Sequence, residues 1–112
     1  MLLFGGASML NNEDLDIMGN IKSIENYKNY LLSTVADLFI TMGKGSKASM
    51  DEVNDELAEV MILSYLLGKR LGINYSSVDD RMVKKLKLGV LEEENNMDYS
   101  KLISYIKDGR EI

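Results

Sequence analysis

The sequence predicts an all-α protein, and three observations support this fold class. Proline is absent and methionine is abundant, a composition that favours uninterrupted helices. Apolar residues recur at spacings of three and four along most of the chain, which is the period of an amphipathic helix. Glycines and short polar turns separate these segments. At 112 residues, the chain is expected to form a single bundle of four or five helices.

The first long helix is predicted from Ser23 to Met42, and the segment before it is expected to form only a short helix or turn. Residues 12–20 contain few apolar side chains and end near Gly19. In the long helix the apolar residues follow the helical period: Ile24, Tyr27, Leu31, Val35, Leu38 and Met42. The glycine-rich turn 43–46 ends this helix.

A second long helix is predicted from Met50 to Leu71, antiparallel to the first. Ser49 and Glu52 form an S-x-x-E capping box at its start, and Gly72 stops it. Its second half, Met61–Leu67, is apolar nearly all round. Such a helix is covered on several sides by its own domain or by a partner subunit. The pattern leaves both possibilities open; in the second, two such hairpins from two chains would bury this surface.

Two further helices are predicted in the last third of the chain. A cap at Ser76 or Ser77 begins a helix that ends at Leu88, and the acidic run 92–94 indicates a solvated linker before a final helix, Tyr99–Ile106. These elements suggest three ranges: an N-terminal arm with a short helix (1–20), a helical domain (21–91), and a linker with the C-terminal helix (92–112).

Composition limits the chemistry that this chain can perform. Without cysteine or histidine it has no disulfide, no zinc thiolate site and no Ser-His or Cys-His nucleophile. Carboxylates, hydroxyls, lysines and a hard cation such as Mg²⁺ remain. The net charge of −5 argues against nucleic acid or an anionic membrane as the main partner. Residues 1–10 are apolar but short and lack a positively charged start, so a cytoplasmic protein is expected.

A column of carboxylates is the strongest candidate site. Glu52, Glu56 and Glu59 are spaced i, i+4 and i+7, which places them on one helical face. One interpretation is a solvated acidic face, favoured near the helix N-terminus by the macrodipole. That effect explains Glu52 well and Glu59 poorly. The other interpretation is a site for a divalent cation, and spacing alone leaves both open.

The segment from Glu56 to Ile73, ELAEVMILSYLLGKRLGI, resembles the second half of the MazG-type signature, in which E-L-x-D-V begins a long apolar helix that ends in L-G-I. The helix Ser76–Leu88, with its K-K-L-K at 84–87, resembles the next helix of that family. The similarity covers roughly residues 21–91.

The resemblance implies a fold of the all-α nucleoside triphosphate pyrophosphohydrolase type, assembled as a dimer or tetramer. Active relatives bind a nucleoside triphosphate through Mg²⁺, for which Mn²⁺ can substitute, and cleave between the α- and β-phosphates. Their metal is held by the motifs E-E-x-x-E and E-x-x-D. Glu56 and Glu59 match the second motif, with Glu in place of Asp. The first falls on 33–37, where Asp37 alone keeps a carboxylate.

These matches predict a metal site made by Asp37, Glu56 and Glu59, and no catalytic residue is assigned. Lys84, Lys85 and Lys87 are candidate phosphate ligands. Cations in the last turn of a helix also complement the helix dipole without any ligand, so this second interpretation stays open. Three tyrosines at helical spacing are either base-stacking or core residues: Tyr27, Tyr30 and Tyr65.

Two functions follow from this reading. The first is a nucleotide-binding, Mg²⁺-dependent pyrophosphohydrolase with an eroded metal site. The alternative is a catalytically inactive helical module for oligomerisation or protein interaction, favoured by Ser33 and Thr34 where the family motif has acids. Fold resemblance does not decide between them, because function resides in the site.

Overall fold

The computed structural model describes the backbone of residues 12–89 and 96–109, and the side chains of 18–89 and 98–109. All regular structure in this part of the chain is helical, which confirms the all-α class. The four α-helices are α1 (Asn12–Met42), α2 (Met50–Arg70), α3 (Tyr75–Leu88) and α4 (Asn96–Lys107). The predicted arm 1–10 and the acidic run 92–94 lie outside the described residues.

Helix α1 is a single helix of 31 residues, so the predicted interruption near Gly19 is wrong. A glycine inside a helix costs about 1 kcal/mol relative to alanine, which a tertiary contact can offset. Asn20 supplies such a contact, because its side-chain amide donates a 2.9 Å hydrogen bond to the carbonyl of Arg70 at the end of α2. The helix therefore continues across the predicted boundary between residues 20 and 21.

The turn between α1 and α2 forms as its glycines and serine predict. Helix α1 ends at Met42, and the next turn contains Gly45 at φ 63°, a left-handed conformation that glycine adopts without a steric penalty. Ser49 caps α2, since its Oγ accepts a 3.2 Å hydrogen bond from the Glu52 amide. The Glu52 carboxylate lies 3.7 Å from Lys44 Nζ. The predicted bounds of α2 are correct to one residue.

Helices α1 and α2 pack as an antiparallel hairpin, as predicted. Asn20 near the beginning of α1 bonds to Arg70 at the end of α2, while Thr41 at the end of α1 bonds to Glu56 near the beginning of α2. Leu38 is buried in this hairpin, between half-buried positions of both helices. The hairpin thus places the last turns of α1 beside the acidic half of α2.

A second compact unit begins at Ile73, immediately after Gly72 at φ 88°, and within it α3 packs against α4. The predicted serine cap of α3 is wrong. Asn74 occupies the N-cap position without a side-chain hydrogen bond, and the two serines lie inside the first turn. At the other end, Gly89 at φ 66° caps α3 as predicted.

Helix α4 begins at Asn96, three residues before the predicted start at Tyr99. Asp98 lies in its first turn, where the helix dipole favours a carboxylate. Ile106 is buried and Ile103 is half-buried, whereas Leu102 is 44% exposed.

Candidate functional site

Glu56 is the acidic residue most involved in the α1–α2 hairpin. It is half-buried, and its Oε2 accepts a 3.0 Å hydrogen bond from Thr41 Oγ1. Its other carboxylate oxygen, Oε1, is shielded from solvent and has no hydrogen-bond partner among the described residues. A shielded carboxylate oxygen without a partner is energetically costly, so this atom favours a hydrogen-bond donor or a cation in its vicinity.

Glu59 lies one helical turn further along α2 and borders a groove on the same hairpin. The groove has a volume of about 360 Å³. It is lined by Tyr30 and Thr34 from α1 and by Glu59, Ile62 and Leu63 from α2. Glu59 itself is exposed, which keeps its carboxylate accessible to a ligand. The groove combines a carboxylate, a hydroxyl and an aromatic ring on largely apolar walls.

The three carboxylates of the predicted column have different surroundings. Glu52 is exposed and paired with Lys44, as expected for a solvated acidic face. Glu56 faces α1, and Glu59 borders the groove. On the continuous helix α2 their spacing puts them on one face, but packing against α1 separates the solvated Glu52 from the other two.

The predicted metal ligand Asp37 lies on α1 with an exposed side chain. Within the described residues, no group of three acidic side chains is arranged to hold a metal ion. The structure therefore does not assemble Asp37, Glu56 and Glu59 into one such group. Of the two hydroxyl residues in the family's acidic positions, Thr34 is buried in the hairpin and Ser33 is exposed.

The predicted phosphate ligands lie on α3, in the second unit. Lys84, Lys85 and Lys87 are all exposed, and the last two occupy the final turn of the helix. That position favours cations through the helix dipole alone. Their role toward phosphate stays a prediction.

The tyrosines divide between the two interpretations. Tyr27 and Tyr65 are half-buried, as core residues would be. Tyr30 is exposed and lines the groove beside Glu59. Of the three, Tyr30 is therefore the candidate for contact with a nucleobase.

Sequence reasoning missed Thr41, although it is the hydrogen-bond partner of Glu56. A signal was present, because Thr34, Leu38 and Thr41 share one α1 face at i, i+4 and i+7. The two threonines interrupt the apolar periodicity, so the spacing of apolar residues did not include them. In the structure this face points toward α2, and Thr41 is 3% exposed.

Comparison with known proteins identifies the family. The model of the MazG-like family matches residues 17–102, which is most of the chain. The chain belongs to the MazG-like family. The resemblance of residues 21–91 is thereby confirmed, and the match extends into α4. No curated protein and no solved structure matches this MazG-like chain.

Family membership does not extend to the finer predictions. The cation, the nucleoside triphosphate, the dimer or tetramer and the cytoplasmic location of this MazG-like protein stay predictions. None of the helices in the described residues combines the length and apolar character needed to cross a bilayer.

Proposed function

We propose that this MazG-like protein binds a nucleoside triphosphate through one Mg²⁺ ion, with Glu56 and Glu59 as its carboxylate ligands. The observation that carries the proposal is Glu56 Oε1, a shielded carboxylate oxygen without a partner in the described residues. Mg²⁺ prefers oxygen ligands, and it is commonly held by one or two carboxylates together with waters and substrate phosphates. Glu59, one helical turn away, supplies the second carboxylate.

The residues fit a single weakly held cation better than a cluster of ions. A Mg²⁺ ion that also binds phosphate is usually held by one or two protein carboxylates, and two carboxylates on adjacent turns of α2 supply that number. The lack of a three-acid group in the described residues argues against a cage that holds several ions. Asp37 stays a prediction as a third ligand and is not required in this arrangement.

The arrangement accounts for binding in electrostatic terms. The carboxylates of Glu56 and Glu59 repel an anionic triphosphate unless a cation lies between the carboxylates and the phosphates. When bound, Mg²⁺ would neutralise phosphate charge and polarise the phosphoryl group. Glu56 and Glu59 would hold that ion at the hairpin, and Tyr30 would contact the base across the groove. A general base for hydrolysis is not assigned to any residue.

A thermal-shift measurement tests the proposal. Nucleoside triphosphates, canonical and damaged, are added with and without Mg²⁺ or Mn²⁺. A ligand that binds only the folded state stabilises it by about 2.7 kcal/mol at a hundredfold excess over Kd. For a domain of this size, this corresponds to several degrees in Tm. We expect nucleotide to raise Tm, beyond any effect of the cation alone, only when the cation is also present.

The matched variants compare carboxylates inside and outside the site. Replacing Glu56 and Glu59 together by Gln should abolish the cation-dependent shift. Replacing the exposed Asp51 and Asp55 by Asn removes the same charge from α2 and should preserve it. Release of pyrophosphate, assayed on the same samples, reports turnover. If no nucleotide shifts Tm with either cation, the nucleotide proposal is wrong.

We propose a second function, self-association, because α1 exposes large apolar side chains. Leu32, Phe39 and Ile40 are 72%, 64% and 66% exposed. They lie on the side of α1 away from the face that packs on α2. On α2, Met61 and Ile62 are also exposed. Apolar surface of this extent on one hairpin is typical of a surface covered by another chain, here a second copy.

Light scattering after size-exclusion chromatography tests this second proposal. The wild-type chain should elute as a dimer or tetramer, and the double change Leu32→Glu and Phe39→Glu should reduce its mass toward that of one chain. Asn26→Glu adds charge at another exposed position of α1 and should leave the mass unchanged. A wild-type monomer at micromolar concentration would contradict self-association without affecting the nucleotide proposal.

A further inference from the structure

Thr41 occupies a position that its own helix does not favour. Threonine is a weaker helix former than leucine or methionine, and a buried hydroxyl costs free energy unless it is hydrogen-bonded. Thr41 is nevertheless 3% exposed in the last turns of α1. A hydroxyl at this depth could bond back to its own helix, yet its Oγ1 donates across the hairpin to Glu56 Oε2 at 3.0 Å.

The hydrogen bond constrains the carboxylate of Glu56. The last side-chain torsion of a glutamate has a broad energy profile, so an unconstrained carboxylate samples many orientations. A bond from Thr41 to Oε2 selects one of them and leaves Oε1 without a partner in the described residues. Because the donor sits on the neighbouring helix, the orientation is maintained by the packing of α1 against α2.

From this geometry we infer that Thr41 is a positioning residue for the cation site. Its hydroxyl holds Oε2, so Oε1 of Glu56 would remain available to the ion. The inference rests on the proposed function, since it concerns the cation that Glu56 would bind. Thr41 would act on the ion through Glu56 and would not itself be a ligand. Partners that orient a ligand in this way typically alter metal affinity by about 10–100-fold when they are removed.

Three substitutions of Thr41 separate its hydroxyl from its shape. Thr41→Val keeps the branched shape and removes the donor, whereas Thr41→Ser keeps the donor and removes one methyl group. Thr41→Cys provides only a weak donor. The probe is Mn²⁺ alone, titrated into the full-length chain and followed by electron paramagnetic resonance. Far-UV circular dichroism at the same temperature verifies that each variant is folded.

We expect Thr41→Ser to bind Mn²⁺ within about threefold of the wild type, and Thr41→Val to bind it about tenfold or more weakly. Glu56→Gln should lose the site. If Thr41→Val does not fold, Thr41→Cys replaces it and should also bind more weakly than Thr41→Ser. A purely structural role for Thr41 would lower Tm in the folded variant without changing its Mn²⁺ affinity.

The failures of the two proposals are distinguishable. If Glu56→Gln loses Mn²⁺ while Thr41→Val, or its replacement Thr41→Cys, binds as the wild type does, the cation site stands and the role of Thr41 is wrong. If the wild type and Glu56→Gln both fail to bind Mn²⁺, the cation site is wrong and the inference about Thr41 is wrong with it.

Discussion

The two faces of α1 differ in character, and each departs in part from what a helix in a small domain usually presents. The face toward α2 contains two buried threonines beside Leu38. The opposite face exposes Leu32 and Phe39. A typical amphipathic helix places its apolar stripe toward the core and its polar residues toward water. Helix α1 follows this pattern with Leu31, Val35 and Leu38, but it also contributes two hydroxyls to the hairpin and exposes large apolar side chains.

The contrast indicates that the two faces serve different purposes. Polar groups inside a hairpin reduce the apolar area that it buries, so a buried hydroxyl needs a hydrogen-bond partner. The Thr41 hydroxyl has such a partner, because it donates to the Glu56 carboxylate. Large exposed apolar side chains on the outer face support the proposed contact with a second copy. Under the two proposals, the inner face of α1 would serve ligand binding and its outer face would serve assembly.

The largest expected effect is the loss of core packing on the inner face. Leu38→Ala should reduce the free energy of unfolding by about 2–5 kcal/mol, because it removes a buried side chain and leaves a cavity. Urea denaturation followed by circular dichroism measures this change. Leu32→Ala deletes the same atoms from the outer face, so its cost should appear as weaker assembly and depend on protein concentration. Equal, concentration-independent costs would contradict the contrast between the faces.

An intermediate effect is expected from the polar pair. Thr41→Val should destabilise the metal-free chain by about 1–3 kcal/mol, because it leaves the Glu56 carboxylate without its donor. Combining it with Glu56→Met replaces both partners by apolar groups and should recover most of that loss. Unfolding is measured in the presence of a chelator. Additive losses in the double variant would show that the hydrogen bond does not couple the two residues.

A smaller effect is expected at the beginning of α2. Ser49→Ala removes the hydroxyl that accepts a hydrogen bond from the Glu52 amide, and it should lower the free energy of unfolding by about 1 kcal/mol. Ser46→Ala, three residues earlier in the exposed turn, is the matched control and should change stability little. Similar Tm shifts for the two variants would mean that the cap is not a significant part of the stability of the hairpin.

The smallest effect is expected from the surface ion pair. Lys44 Nζ and Glu52 Oε1 are 3.7 Å apart, and both side chains are about half exposed. Exposed pairs of this kind contribute about 0–1 kcal/mol. Lys44→Met should therefore change the unfolding free energy by less than about 1 kcal/mol, with little dependence on salt concentration. A larger loss would mean that Lys44 has a role beyond this pair.

Much of the secondary structure was predictable, because its determinants are local. The end of α1 at Met42, the Ser49 cap and the stop at Gly89 each depend on residues within one or two turns. Two predictions were wrong, and α4 begins three residues before its predicted start. Helix α1 continues through Gly19, next to a side chain that bonds to α2, and α3 begins without the serine cap.

The candidate site was predictable only in part. The spacing of acids on α2 and the family-like segment that follows pointed to Glu56 and Glu59. Neither observation distinguishes a solvated carboxylate from one with a shielded oxygen, because burial depends on what packs against the helix. Thr41 is 15 residues from Glu56 in the sequence, and no local pattern connects them.

The helical class, the membership in the MazG-like family and the acidic face of α2 follow from the chain alone, since composition, periodicity and spacing are properties of the sequence. The choice among those acids depends on the register of α1 against α2. That register brings the Thr41 hydroxyl to Glu56 and leaves Glu52 with Lys44 at the surface. Hydrogen bonds and burial between helices arise only when distant residues are packed together, so the tertiary structure was needed to single out Glu56.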